Sequence, residues 1–529
     1  MLEGQPSGKY VLVIDLGTSG PKVGLVDQQG RVACSASAPV KMIILPGEGA
    51  EHDPAEWWDT ITACVKKVIA ASGVAPASIV AISVTSMWSV TLPVDEKGEP
   101  LMNILSWMDG RGAPYNHDVV KGFPNILGYK LGTLLKYINI TGLAPTLKGT
   151  DSLAHMLYIK HEFPEIYRRT HKFFEPMDYI NMRLTGKFAA TQNTALPMLM
   201  TDNRRLDVQE YDPWLLKMGG IDREKLPDLL PIDAILGPVT PSIAAELGLS
   251  PETLVICGVN DNCSSAVGAG AIADYDAAAV LGTSGYLAAH VPFKKTDMLA
   301  TIATIPSGIK GRYLFWADLE NNTKILESFL KNLVYAPDAF DTGQISDEMY
   351  TRASQVAAQV SPGSDGVLFL PWFNGILSPG EDPFMRGGFL NLSTRTTRAH
   401  LTRAVFEGLS MNWRWLRSAA EKLVGRPFKF WRLTGGGALS DVWSQIMADV
   451  VGLPMHRQAD PRNNNVIGMG LLAFHRLGLV RLEDIPRMIK FDRIFEPDPK
   501  NQAVYDRMYA QFIASKNRLR PVFHALNKA

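Results

Sequence analysis

The sequence carries both strand and helix patterns, as an α/β protein does, and three features point to two related halves. The pentapeptide LGTSG occurs at Leu16–Gly20 and again at Leu281–Gly285. Each copy lies between two short apolar runs, so each reads as strand, tight turn, strand. At 529 residues the chain is long enough for two to four domains of roughly 100–200 residues each. An internal duplication, one hairpin per half, accounts for all three.

The first copy sits in KYVLVIDLGTSGPKVGLVDQQGRV. Val11 to Ile14 reads as a buried strand, Gly17 to Pro21 as the turn and Lys22 to Val26 as the second strand. Asp27 to Gly30 then turns the chain into a third strand from about Arg31, completing a meander. A P-loop or a dinucleotide fingerprint needs its glycine turn to open a helix, whose N-terminus receives the phosphate. Pro21 followed by K-V-G-L-V-D has no helical face, so neither fits. What remains is a hairpin whose backbone N–H groups, with the Thr18 and Ser19 hydroxyls, can form an anion-binding concavity. Asp15 stands at its mouth. The second copy has strands at about Ala277–Leu281 and Tyr286–Val291, so two lobes can grip one polyphosphate from opposite sides.

Further along, GEGAEHDPAEWWDT opens a helix with Trp57 and Trp58, and a strand at Val80 to Thr85 leads into SMWS. LSWMDGR places Trp107, Asp109 and Arg111 on a loop. A buried strand from Leu254 delivers Asp261 to a Gly-rich bend, where the carboxylate reads either as a helix cap or as a chemical group. The small-residue run Ser264 to Ala271 suits close packing where the halves meet. Leu401, Val405, Leu409, Leu416, Ala420 and Leu423 recur at helical spacing and Gly425 follows, predicting a core helix over Arg398 to Val424. Gly435 to Ala438 form a glycine bend before a helix capped by Ser440 and stopped by Gly452 and Pro454. Asn501 to Lys528 reads as a polar-faced helix with a short tail.

Composition narrows the function classes. With 53 basic and 53 acidic side chains, the formal charge is zero and no nucleic acid or anionic membrane partner is expected. Cys34, Cys64, Cys257 and Cys263 form neither a C-x-x-C pair nor a cluster with zinc spacing, as expected for reduced thiols in a cytoplasmic protein. No window approaches the roughly 18 uninterrupted apolar residues of a membrane span, and no low-complexity tract suggests a disordered tail.

Taken together, these segments resemble the FGGY carbohydrate kinases of the sugar kinase and actin superfamily, and are most similar to xylulokinases. DLGTSGPKVGLVD is similar to the first phosphate motif, LVICGVNDNCSSAVGAGA to the segment with the acidic catalytic residue, the second LGTSG to the second phosphate motif and LTGGGALSDVWSQIMADVVGLPM to the adenosine motif. FPEIYRRTHKFFEPMDYINMRLTGKF and AHLTRAVFEGLSMNW also match the family pattern. The resemblance implies two lobes, residues 1–268 and 269–529, each with an RNase H-like mixed sheet flanked by helices and the active site in the cleft between them. It implies transfer of the γ-phosphoryl group of ATP to a hydroxyl of a ketopentose such as xylulose, with Asp261 as general base. Gly17, Thr18, Ser19, Gly282, Thr283 and Ser284 would hold phosphates. Lys22 reads equally as a phosphate contact or as a strand lysine facing water.

In the same reading Gly435, Gly436, Gly437 and Ala438 would approach the adenosine, since backbone without Cβ can come close to a ring. Met87, Trp88, Trp107, Asp109, Asp261 and Asn262 would contact the sugar. Asp15 and Asp261 would hold Mg²⁺, which keeps much of its water and favours few carboxylates. The chain departs from the family at several places. SMWS stands where xylulokinases usually have Q-M-H-G, His155 and Tyr158 replace a Lys and a Trp, Asn391 replaces a Gly, and Arg462 to Gly470 lacks an acid. Ribulose, glycerol, erythritol or a sugar acid therefore remain alternative acceptors, as does a non-catalytic actin-like ATP-binding role. The expected partner is a small sugar or polyol, with the chain a monomer or homodimer.

Overall fold

Tyr10 to Ile14 are all buried, as a strand must be when it lies inside a sheet covered on both faces. The computed structural model, which describes residues 8–336, 346 and 348–528, places this strand, β1 (Tyr10–Gly17), between two partners. It pairs antiparallel with β2 (Gly20–Asp27) and parallel with β4 (Ile79–Ser86), while β3 (Val32–Ser37) completes the meander. With β5 (Ile235–Pro238) and β6 (Leu254–Asn260) they form a six-stranded mixed sheet, order β5-β6-β4-β1-β2-β3. Helix α1 (Pro54–Ser72) is capped by Asp53 and closed by Gly73, and it buries Trp57 and Trp58 in the core.

The second half repeats the plan. β7 (Ala277–Leu281) and β8 (Gly285–Val291) form the second hairpin. The eight-stranded sheet adds β9 (Thr296–Asp297), β10 (Ile302–Pro306), β11 (Tyr313–Asp318), β12 (Trp431–Thr434), β13 (Met455–Gln458) and β14 (Phe491–Phe495), in the order β9-β10-β11-β8-β7-β12-β13-β14. β7 pairs parallel with β12 as β1 does with β4, so the meanders occupy equivalent places. The two LGTSG turns nevertheless close differently. Gly17 pairs with Gly20 across two residues, whereas Leu281 pairs with Gly285 across three.

Two helices join the halves. α2 (Asp261–Gly268) follows β6 but packs on β7 and β8, while α5 (Asn464–Arg476) follows β13 but packs on β1, β2 and β4. They cross where both have glycine. A Cβ on Gly268 would lie 2.0 Å from the Asn464 carbonyl oxygen, and one on Gly468 would lie 1.9 Å from the Ser264 carbonyl oxygen. Asn464 Nδ2 donates to Ser265 O at 3.0 Å and Oγ at 2.6 Å across this crossing.

Helix α3 (Arg398–Val424) spans the residues that its periodicity predicts, and α4 (Asp441–Val451) is capped by Ser440. The final helix α6 (Pro499–Asn527) is docked: Tyr505 and Phe512 are fully buried. Tyr505 donates to Glu407 at 2.9 Å and accepts from Arg403 at 2.9 Å. Asn391 sits at φ 63°, a left-handed conformation that asparagine tolerates nearly as glycine does. All four cysteines are unpaired. Among the described residues no helix is long and apolar enough to cross a membrane.

Candidate active site

β6 ends at Asn260 and α2 begins at Asp261, so a buried strand hands a carboxylate to a helix N-terminus. Asn260 provides the cap, its side chain accepting from Cys263 N at 3.2 Å. Asp261 is thus released from the capping role. Burial pushes its pKa up to about 7, the nearby charge of Asp15 adds to the rise, and the Asn262 N–H opposes it. A helix N-terminus favours a carboxylate by only about 0.3–1 kcal/mol, and one pKa unit corresponds to about 1.4 kcal/mol, so burial and like charge win here.

Asp15 is itself pushed up to about 6 by burial, against the attraction of Lys22 and a hydrogen bond from Asn465. A third half-buried acid, Asp318 at the end of β11, is raised to about 7 by burial although it accepts the Glu320 N–H at 2.6 Å. Its charge also acts on Asp261. Among the described residues no group of three or more His, Cys, Asp or Glu forms a metal cage. Under-neutralised carboxylates without a cage fit a cation such as Mg²⁺ that takes its remaining ligands from water and substrate phosphates.

Beside Asp15 a pocket of about 380 Å³ is lined by Gly17, Ser19, Gly20, Lys22 and Ser37 among others. Three carbonyls of the two turns are engaged by the protein: Ser19 O accepts from Val40 N at 3.0 Å, Gly282 O from Thr323 Oγ1 at 2.8 Å and Thr283 O from Asn322 N at 3.0 Å. Tied-up carbonyls reduce the repulsion an anion would meet. The Lys22 ammonium donates to Arg462 O, so it spans from the first sheet to the loop that leads into α5. Asn465 on that helix reaches Asp15 at 3.5 Å.

The glycine bend after β12 divides into two roles. A Cβ on Gly435, at φ 88°, would lie 2.7 Å from the backbone of Leu281, and one on Gly437 would meet Trp443 at 2.7 Å. These two glycines let the bend lie against the base of the second LGTSG turn. Of the three, Gly436 alone faces open space. Ala438 is buried.

On the acceptor side Trp107 is 41% exposed, and Trp88 is half-buried with an unpartnered indole N–H. Met87 and Asn262 are buried. Asp109 has no exposed surface: its oxygens accept from Ala50 N at 3.0 Å and from Arg111 Nη2 at 2.6 Å. In this arrangement Asp109 holds Arg111, which also pairs with Glu51 at 2.6 Å and lies over the Tyr158 ring. His155, kept neutral by a burial-lowered pKa of about 4, bridges Thr91 Oγ1 and Asp109 O.

Sequence reasoning did not single out Glu51, Glu175, Asp318 or Asn465. Glu175 carried a usable signal, an acid inside the apolar run KFFEPM. It is fully buried, accepts the Val90 N–H at 3.1 Å and the Ser152 hydroxyl, and is raised well above the usual carboxylate range by burial. It therefore clamps the backbone just after Ser89, which sits at φ 59°. Glu175→Ala is expected to cost about 1–3 kcal/mol through the unpaired N–H and to raise the acceptor KM while leaving that of ATP unchanged. Glu175→Gln, which can still accept that bond, should restore both; thermal unfolding and steady-state kinetics on the pair check this.

Two lobes of one plan, each presenting a strand-turn-strand hairpin near a set of half-buried carboxylates, define a phosphotransferase of the sugar kinase and actin-like class. The chain belongs to the FGGY family of carbohydrate kinases, whose N-terminal domain model matches residues 10–268 and C-terminal domain model residues 277–477. It is accordingly a kinase with an alcohol group as acceptor. The chain is 27% identical over 517 residues to a xylulose kinase of Staphylococcus epidermidis, covering 96% of each. It is also 27% identical over 451 residues to a gluconokinase of Bacillus licheniformis, covering 83% of this chain and 82% of the other. The solved xylulose kinase of Rhodospirillum rubrum superposes with a TM-score of 0.83 at 26% identity, covering 98% of this chain and 100% of that one.

Proposed function

We propose that this kinase transfers the γ-phosphoryl group of ATP to a hydroxyl of a ketopentose such as xylulose. The observation that carries the reading is Asp261, an uncapped carboxylate at a helix N-terminus, poised with Asp15 beside the first phosphate turn. Asp261 accepts the hydroxyl proton as the sugar oxygen bonds to the γ-phosphorus and the bond to the ADP oxygen breaks. Thr18 and Ser19 with Lys22, and Gly282, Thr283 and Ser284 opposite them, hold the phosphates. Gly436 gives the adenosine its closest backbone approach. Asp15 and Asp261 would hold Mg²⁺, which when bound neutralises charge on the phosphates. Residues 1–268 carry the sugar site and first phosphate turn, and residues 269–529 the second turn and the adenosine site.

Trp88 and Trp107 offer ring faces to the apolar side of a sugar. The Arg111 guanidinium is matched by Asp109 and Glu51, which favours a neutral acceptor over a sugar acid. ADP release with Mg-ATP against xylulose, ribulose, glycerol, erythritol and gluconate tests this. The expected result is the highest kcat/KM for xylulose. Gluconate as the best acceptor, or no acceptor above the sugar-free background, overturns the ketopentose reading.

A further inference from the structure

Thr18 lies in the first phosphate turn and Trp107 on the acceptor loop, yet Trp107 Nε1 donates to Thr18 Oγ1 at 2.9 Å. The Thr18 hydroxyl in turn donates to Met87 Sδ at 3.3 Å, and the Met87 N–H donates to Leu16 O at 3.2 Å. The phosphate turn and both acceptor-side segments thus meet at one hydroxyl. A hydroxyl has one proton and two lone pairs, an indole N–H can only donate, and a thioether is a weak acceptor. With Trp107 occupying a lone pair, the proton is left facing a partner that a phosphate oxygen easily outcompetes, because a charged acceptor makes the stronger bond. Donation into the oxygen also polarises the O–H and strengthens its own donation.

We propose that Trp107 is a positioning residue for the phosphate turn, its indole N–H orienting the Thr18 hydroxyl toward the nucleotide phosphates and thereby coupling acceptor binding to nucleotide binding. The inference rests on the reading that the turn takes phosphate and that the Trp107 ring faces the acceptor. An acceptor that immobilises the ring immobilises the hydroxyl, and by linkage each ligand then tightens the other by the same factor. Trp107 is 41% exposed, so its replacement by Phe keeps an aromatic ring in place while removing the N–H together with the indole's second ring.

Calorimetric binding of ADP and of AMP to the wild type, Trp107→Phe, Thr18→Val and Thr18→Ser decides the matter without turnover. Thr18→Val is expected to weaken ADP roughly tenfold or more, the usual scale for a hydrogen bond to a charged group. Trp107→Phe should weaken it about three- to fivefold, as loss of a polarising donor implies. Thr18→Ser should bind as wild type, and AMP, which lacks the β-phosphate, should bind all four alike. The best acceptor should tighten ADP in the wild type and no longer do so in Trp107→Phe. Unchanged ADP affinity in Trp107→Phe beside a weakened Thr18→Val overturns the coupling alone. Unchanged affinity in Thr18→Val overturns the phosphate-turn reading as well. Equal losses of ADP and AMP in Trp107→Phe would mean a collapsed loop and would also reject the proposal.

Discussion

Asp261→Asn is expected to lower turnover by at least about 10²-fold, the low end for losing a general base, while ATP binding survives. Asparagine keeps the shape and the hydrogen bond from the Asn262 N–H but cannot take a proton from the acceptor hydroxyl. Stability separates this loss from simple misfolding. The Asp261 pKa is raised from 3.8 to about 7, so the folded state disfavours the charge. That penalty is fully present above pH 7, fades as pH falls and is gone below about 3.8. The ligand-free variant should therefore unfold at a higher temperature than the wild type at pH 8, with the advantage shrinking toward pH 5. Near-normal turnover in the variant rejects Asp261 as the base, and a variant less stable at pH 8 contradicts the electrostatic account.

Gly468→Ala is expected to destabilise by about 1–3 kcal/mol or more, the usual cost of forcing atoms into a packed interior. The new methyl would have to displace the Ser264 backbone, which the crossing helix cannot yield without moving Asp261 at its start. Turnover should fall together with stability, because α5 also carries Asn465 beside Asp15. Gly436→Ala is the control: its Cβ meets open space, so thermal stability should hold while nucleotide affinity drops. Equal stability of Gly468→Ala and wild type would show that the crossing has slack the structure does not display.

Much of the scaffold was legible because it depends on near neighbours. Apolar β-branched runs on either side of LGTSG dictate strand, turn and strand; the spacing from Leu401 to Leu423 dictates a helix; Ser440 and Gly452 mark where α4 starts and stops. The order of these segments was also enough to mark Asp15, Asp261 and the two turns as candidates for phosphate chemistry. Asp109 shows where such reading ends. The family resemblance implies a sugar contact there; what near neighbours do not reveal is that its oxygens accept from Arg111 and Ala50, the latter from a segment far earlier in the chain.

By itself, then, the sequence determined the repeated hairpins and the main helices, since these follow from periodicity and turn chemistry within a few residues, and its family resemblance marked the candidate residues for phosphoryl transfer. Only the tertiary structure decided that one LGTSG closes over two residues and the other over three, that Gly435 and Gly437 serve packing while Gly436 is open, and that Asp318 and Asn465 join the acidic site. Those outcomes depend on burial and on charge brought together from distant segments, and neither quantity exists until the two sheets and their crossing helices are in place.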